Sequence, residues 1–359
     1  MSVSKLCEEL VTAGSDVEVL TTTANGLTEL PVTVGEQVIV DGVKVTYFNR
    51  LTKDHSHFSP KLLARLWKIV KEYDVVHIHA WWNTVSIFSV LITQLRGVPV
   101  IVSPRGTLSA YSFNNRKSAL KKLFHSLVGR NLLNKSYIHV TSVAEQEIIM
   151  SIIAPRKIFN IGNIVDFPVI TVDPEPANQS VFKLIFLSRI DEKKGLNILL
   201  NALPLIGHPF HLTIAGTGNE DYVQALKDIL LDNLIPKVSW VGFQHEKKFE
   251  LLRTHDLLVL PSHNENFGNV VIESLSMGTA VLVSKQVGLA GYVTERHLGW
   301  ECDTDPASVA AAVNDIIACQ KKELLRIRET AALTLAADFE KRKMVNQYVA
   351  MYNNMICHE

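Results

Sequence analysis

Short β-branched runs alternate with segments of helical period along almost the whole chain. In the first half, Val17–Thr22, Val43–Phe48, Val75–His79, Val98–Ser103 and Ile138–Thr141 read as strands. Between them, apolar residues recur at helical spacing over Ser2–Ala13, Pro60–Glu72, Thr84–Arg96, Arg116–Leu133 and Val143–Ile149. The stretch "PVTVGEQVIVDGVKV" predicts a two-strand hairpin inserted early. The pattern then breaks. "DFPVITVDPEPANQS", within 166–181, holds three prolines and no apolar period, which predicts a linker. After it the alternation restarts, with strands at Lys183–Ser188, His211–Ala215, Val238–Val241, Leu257–Leu260 and Ala280–Ser284. Helices are expected at Leu196–Leu205, Glu220–Leu231, Lys247–Arg253, Val270–Met277, Pro306–Ala318 and Lys341–Ile356.

This alternation builds parallel sheets with helices on both faces. Two such stretches predict an α/β chain of two doubly wound, Rossmann-like domains facing a cleft, residues 1–165 and 166–340. A last helix within 341–359 is expected to pack back on the first domain. In sheets of this kind ligands bind beyond the carboxyl ends of the strands. The first domain should open with a strand and a glycine-bearing loop. Instead "SVSKLCEELVTAG" reads at once as the first crossover helix, with Val3, Leu6, Leu10 and Val11 on one face and a stop at Gly14. The reading therefore expects the first, central strand to be absent, and about 15–25 residues to precede Met1 in a longer, more stable and more active form. Direct pairing of Val17–Thr22 with Val75–His79, or a bridging strand from Pro31–Phe48, would contradict it.

Composition narrows the class. At 359 residues, 47% hydrophobic and 20% charged, the chain is globular and long enough for two cores. Its formal net charge of zero gives no sign of nucleic acid as a partner. The halves differ: through Val165 there are 18 Lys and Arg against 12 Asp and Glu, and beyond it 18 against 24. The asymmetry reads as an anionic contact on the first half or as chance variation of the surface. Cys7, Cys302, Cys319 and Cys357 show no metal-ligand spacing, which fits a reduced compartment. The N-terminus carries acids where a signal peptide would be apolar, and the apolar stretch near Val85–Thr93 is too short to span a bilayer. The expected location is cytoplasmic.

The chemistry concentrates at strand ends. "NENFGNVVIES", residues 264–274, follows the strand Leu257–Leu260 and sets Glu265 and Glu273 around a helix start near Gly268 and Asn269. The first amides of that helix, at Gly268, Asn269 and Val270, offer donors for a phosphate. A carboxylate repels phosphate but accepts hydrogen bonds from paired hydroxyls. Two carboxylates flanking an anion site suit a ligand with hydroxyls at both ends and phosphates between, the layout of a nucleoside diphosphate sugar. Upstream, "SRIDEKKG" puts Arg189 and Lys194 in the turn after another strand, where they read as positive charge for a diphosphate or, taken alone, as solvated loop cations beside Asp191 and Glu192.

Together, "SRIDEKKG", "IAGTGNED", "PSHNENFGNVVIESLSMGTAVLVS" and "NIGNIVD" resemble the family-4 retaining glycosyltransferases with the GT-B fold. The likeness covers nearly the whole chain and is strongest over 183–293; in the first half it rests on "VVHIHAWWN" and "VSPRGTLSAYS". The resemblance implies that Glu265 contacts donor sugar hydroxyls near the reacting carbon and that Glu273 holds the ribose hydroxyls. It implies that Arg189 and Lys194 bind the departing diphosphate, helped by backbone amides at Phe267, Gly268, Asn269 and Val270. It further implies same-face attack with the leaving phosphate taking the acceptor proton, no metal and no cofactor beyond the donor substrate. The acceptor would be a hydroxyl of a glycan or lipid-linked glycan, in surface polysaccharide synthesis.

Other features carry a site reading beside a structural one. Gly216 and Gly218 make a strand-to-helix turn near the nucleotide. His79 ends a strand on the acceptor side, with His77 two residues before it. Arg105 stands at the next strand end, where many relatives place a histidine. Trp81 and Trp82 read as core and helix-start residues or as an aromatic platform. "GLAGYV" departs from the family's Gly-Gly-x-x-Glu, leaving backbone to make the contact there. In residues 114–135, Leu120, Leu123, Phe124, Leu127 and Val128 share a helical face with cations off it. This reads as a surface helix or as a basic helix docking on anionic membrane. Two other classes compete with this reading. A nicotinamide dehydrogenase would need a G-x-G-x-x-G after its first strand, and none is present. A catalytically silent glycan-binding or partner protein of the same fold stays open.

Overall fold

The computed structural model describes residues 2–26, 28–52, 54, 56–109, 123–168 and 181–357. The chain divides into two compact units, one of Met1–Ile164 with Lys341–Glu359 and one of Val165–Glu340.

The first unit holds β1 (Glu18–Thr22), the two-residue pair β2 (Ala24–Asn25) and β3 (Thr28–Glu29), β4 (Gln37–Val40), β5 (Val43–Phe48), β6 (Val76–His79), β7 (Val100–Ser103), β8 (Tyr137–Val140) and β9 (Lys157–Asn160). β6, β7, β8 and β9 form one parallel sheet in that order. Where a single sheet was expected, β1, β5 and β4 form a second ladder. β1 is parallel to β5, and β4 turns back antiparallel on it as the expected hairpin. The 31–48 segment thus adds β4 and β5 to the β1 ladder, and no described strand is bonded to both β1 and β6. Both faces of β7 and β8 are buried, which explains their near-continuous apolar sequence. β9, "KIFN", went unread because its ends are polar and it sits at the sheet edge.

The helix Lys341–Ile356 belongs to this unit. Met344, Val345, Tyr348, Met351 and Met355 line its buried face against Leu6, Leu10 and Ile161. Tyr348 donates to the carbonyl of Gly162 at 3.1 Å, and Lys341 pairs with Glu9 at 3.1 Å.

Of the basic segment 114–135, residues before 123 lie outside the described residues. His125–Gly129 is a π-helical turn, followed by the α-helix Arg130–Asn134. Its apolar residues do not share one inward face. Phe124 packs on the core, while Leu123, Leu127 and Val128 are 56%, 70% and 44% exposed. The wider turn inserts a residue and rotates the register that a regular helix would keep.

The second unit holds β10 (Phe182–Leu187), β11 (Phe210–Ala215), β12 (Val238–Gly242), β13 (Leu257–Leu260), β14 (Ala280–Ser284) and β15 (Gly299–Cys302). All are parallel, in the order β12-β11-β10-β13-β14-β15, the doubly wound arrangement. Its topological switch lies between β10 and β13. The two strand-end loops carrying the expected donor-site residues leave from these two strands. The helices Ala290–Glu295 and Lys321–Asp338 and the edge strand β15 were not anticipated. The long helix buries mainly alanines (Ala331 and Ala332, with Ile327 and Leu335), so its apolar stripe is faint in sequence.

Candidate functional site

Two loops at the carboxyl ends of β10 and β13 are fastened to each other. A Cβ at Gly195 would fall 2.0 Å from the carbonyl oxygen of Pro261, so only glycine lets the loops approach this closely. The amide of His263 donates to the Lys193 carbonyl at 2.7 Å. Asp191 caps the short turn Glu192–Lys194 by accepting from the amide of Lys193 at 3.1 Å. Lys194 consequently points at the β13 loop and forms an ion pair and hydrogen bond with Glu265. Both side chains are largely shielded, so the pair is screened less than a surface one.

The backbone of Glu265 is held from the other side. Its amide donates to Gln286 at 3.1 Å, and its carbonyl accepts from Gly288 at 2.8 Å. Leu289 donates to the carbonyl of Phe267 at 3.1 Å. The "GLAGYV" stretch therefore meets the loop through its backbone. Phe267 is 3% exposed and its ring meets Phe339 edge-on, so its side chain belongs to the core and offers a ligand nothing. The helix Asn269–Ser276 starts at Gly268, whose φ is 97°. Its first amides, at Asn269 and Val270, have no carbonyl of their own helix to bond.

Glu273 lies one turn further along and is paired with Lys248 at 2.8 Å. Lys248 starts the helix Lys248–Arg253 and rests over the Phe249 ring. Sequence reading missed this lysine. Its only signal is the charge-rich run "HEKKFE" after β12, which reads equally well as a solvated helix start. Arg189 directly follows Ser188 at the end of β10, is exposed and has no acceptor among the described residues. Gly216 and Gly218 pack on that same turn. Cβ atoms there would fall 1.9 Å from the Ser188 carbonyl and 2.1 Å from that of Ile190. The pair shapes the Arg189 turn by backbone contact.

In the first unit, His79 and Arg105 meet. Arg105 Nε donates to His79 Nδ1 at 3.1 Å and Nη1 to Asn163 Oδ1 at 2.9 Å. Burial and the Arg105 charge hold His79 well below the usual imidazole range. Trp81 is fully buried in the core, and Trp82 donates to the Thr107 carbonyl at 2.6 Å. Trp81 is therefore closed as a platform, and Trp82 is a part-buried residue packed on the core. Glu145 accepts from the amides of Gly106 and Thr141, fixing the loop after β7, and carried no sequence signal.

The arrangement suits a ligand with a charged centre and hydroxyl-bearing ends. Comparisons with known proteins bear on the family and the fold. Residues 171–333 match the model of the glycosyl transferases group 1, and residues 1–163 that of a glycosyl transferase 4-like domain. A glycogen synthase of Mycobacterium tuberculosis is 26% identical over 379 aligned positions, covering 98% of this chain and 89% of that protein. A phosphatidyl-myo-inositol mannosyltransferase of Mycobacterium leprae is 25% identical over 287, covering 77% and 72%. Among solved structures, sucrose-phosphate synthase from Thermosynechococcus elongatus superposes with a TM-score of 0.75 at 17% identity, covering 99% of this chain and 93% of that one. Anabaena HepE in complex with UDP and glucose gives 0.73 at 18%, covering 98% and 95%. The fold is GT-B.

Proposed function

The chain belongs to the glycosyl transferases group 1, and we propose that it moves a sugar from a nucleoside diphosphate to a hydroxyl of a glycan or lipid-linked glycan, with retention at the anomeric carbon. The observation that carries this reading is the Lys194–Glu265 pair. It sets a lysine directly against a glutamate at the switch point of a doubly wound sheet, which supports a cation for the diphosphate beside a carboxylate for the sugar. Glu265 accepts from donor sugar hydroxyls and Glu273 from the ribose. Arg189, Lys194 and the amides from 267 to 270 stabilise the leaving diphosphate. The acceptor attacks from the face the diphosphate leaves, and a phosphate oxygen takes its proton. Charge stabilisation and orientation supply the rate.

Proton NMR of the first-formed product tests the stereochemistry. Retained anomeric configuration is expected, and inversion would overturn the proposed geometry. Because side-chain cations neutralise the diphosphate, excess chelator in the same assay should leave the rate unchanged. Activity abolished by chelator and restored by a divalent ion would defeat that assignment.

The site of action is proposed to be the cytoplasmic face of a membrane in surface polysaccharide synthesis. No helix of the described residues is long and apolar enough to cross a membrane. The exposed Leu123, Leu127 and Val128, in a segment rich in Lys and Arg, support peripheral docking on anionic lipid. Co-sedimentation with phosphatidylglycerol vesicles is expected, falling with salt and with Leu127→Asp. Binding indifferent to anionic lipid and to salt would count against it.

A further inference from the structure

The strand ends of the first unit hold a network in which every proton can be placed. The residue after β6 and the second after β7, Ala80 and Arg105, have φ of 66° and 51° without being glycine. Such backbone persists where its surroundings over-determine it, and it gathers at functional sites. An arginine nitrogen can only donate, so Arg105 Nε bonding His79 Nδ1 at 3.1 Å leaves that nitrogen bare and puts the ring proton on Nε2.

Behind His79 the ring of His77 stacks at 4.2 Å. A directed chain fixes His77 in turn. His139 Nε2 meets the Ile161 carbonyl at 2.9 Å, which only accepts, so His139 Nδ1 must accept from Ser103 Oγ at 2.6 Å. Having given its proton there, Ser103 accepts from His77 Nε2 at 2.6 Å. His77 Nδ1 then accepts from the hydroxyl of Tyr352, on the helix Lys341–Ile356, at 2.8 Å. Burial keeps these rings neutral: it pushes His77 well below 6.5 and His139 down to about 3. His79 Nε2 has no acceptor among the described residues, and the residue is half-buried at the end of its strand.

We infer that His79 is a locked, neutral hydrogen-bond donor whose Nε2–H serves a sugar hydroxyl at the end of β6, with Arg105 a positioning residue that acts through it. A neutral N–H matches a neutral oxygen. A phosphate would call for the arginine charge itself, and that guanidinium is turned to His79 and Asn163. The lock also forbids general-base chemistry. Nε2 already carries its proton, and Nδ1 is filled. The ligand class rests on the function proposed above; the tautomer does not.

The test uses the full chain with 15N-labelled histidine. Two-bond proton–nitrogen NMR at pH 7 should show His79, assigned by loss of its signals in His79→Gln, with Nε2 protonated, Nδ1 bare and no titration between about pH 6 and 8. In Arg105→Met the same ring should show both tautomers, the other histidine signals reporting that the variant is folded. In transfer assays His79→Gln, which keeps an N–H near Nε2, should stay within about threefold of wild type, while His79→Leu loses roughly tenfold. A proton on Nδ1, a charged ring at pH 7, or wild-type rates from His79→Leu would overturn the inference. The expected tautomer in a wild-type chain that moves no sugar would instead overturn the proposed function, and with it the ligand.

Discussion

Lys194→Ala is expected to lower kcat by on the order of 10²-fold or more, the usual cost of removing a preorganised donor from a developing charge. The diphosphate gains negative charge as the glycosidic bond breaks, so the lysine stabilises the transition state more than the bound donor. Its placement is unusually well determined, since Asp191, Gly195 and His263 fix the loop on both sides. Arg189→Ala should cost kcat by a similar order. Arg189 is exposed and bonded to no described residue, so this variant removes little folded-state contact, and its thermal stability should stay near wild type. Lys194 and Glu265 touch, so Lys194→Ala combined with Glu265→Gln should lose less than the product of the single losses. Steady-state kinetics with saturating donor checks both. Wild-type kcat in either lysine or arginine variant would remove it from the site.

The two carboxylates should separate into a kcat effect and an affinity effect. Glu265→Gln keeps the shape but weakens the acceptance of sugar hydroxyls beside the reacting carbon, so turnover should fall more than donor affinity. It also frees Lys194 from its partner, which cannot restore the lost contact. Glu273→Gln should raise the donor KM by roughly tenfold, the scale of a charge-assisted hydrogen bond, with kcat little changed. That variant leaves Lys248 without its ion-pair partner, so Lys248→Met should produce a weaker KM effect of the same sign. The donor dissociation constant, measured by titration calorimetry beside the rates, decides the matter. Wild-type transfer in both glutamate variants would make the assignment wrong.

The second unit was legible almost to its ends because buried parallel strands write themselves as unbroken apolar runs. Leu257–Leu260 and Ala280–Ser284 have the bounds read from sequence. What escaped was weakly patterned: the edge strand Gly299–Cys302, and a helix whose core face is mostly alanine. Lys194 and Glu265 were visible as residues of the right kind at strand ends. That they touch depends on a glycine packed on Pro261, a contact across sixty-odd positions that no local pattern encodes. Lys248 was invisible for the same reason, since its meaning comes only from Glu273. The alternation His77, Ile78, His79 put both imidazoles on one face of a strand. The partner that orients His77 is Tyr352, at the far end of the chain. The two-ladder arrangement of the first unit agrees with the absence of any strand pattern linking Val17–Thr22 to Val75–His79.

The most direct measurement of the central claim is release of nucleoside diphosphate from a panel of nucleotide sugars incubated with the chain, with Lys194→Ala and Glu265→Gln alongside. An enzyme of this kind should hydrolyse its own donor slowly even without acceptor. The account predicts release from one or a few donors by the wild-type chain, at least about tenfold lower in both variants. No release from any donor, or equal release by wild type and both variants, would contradict it.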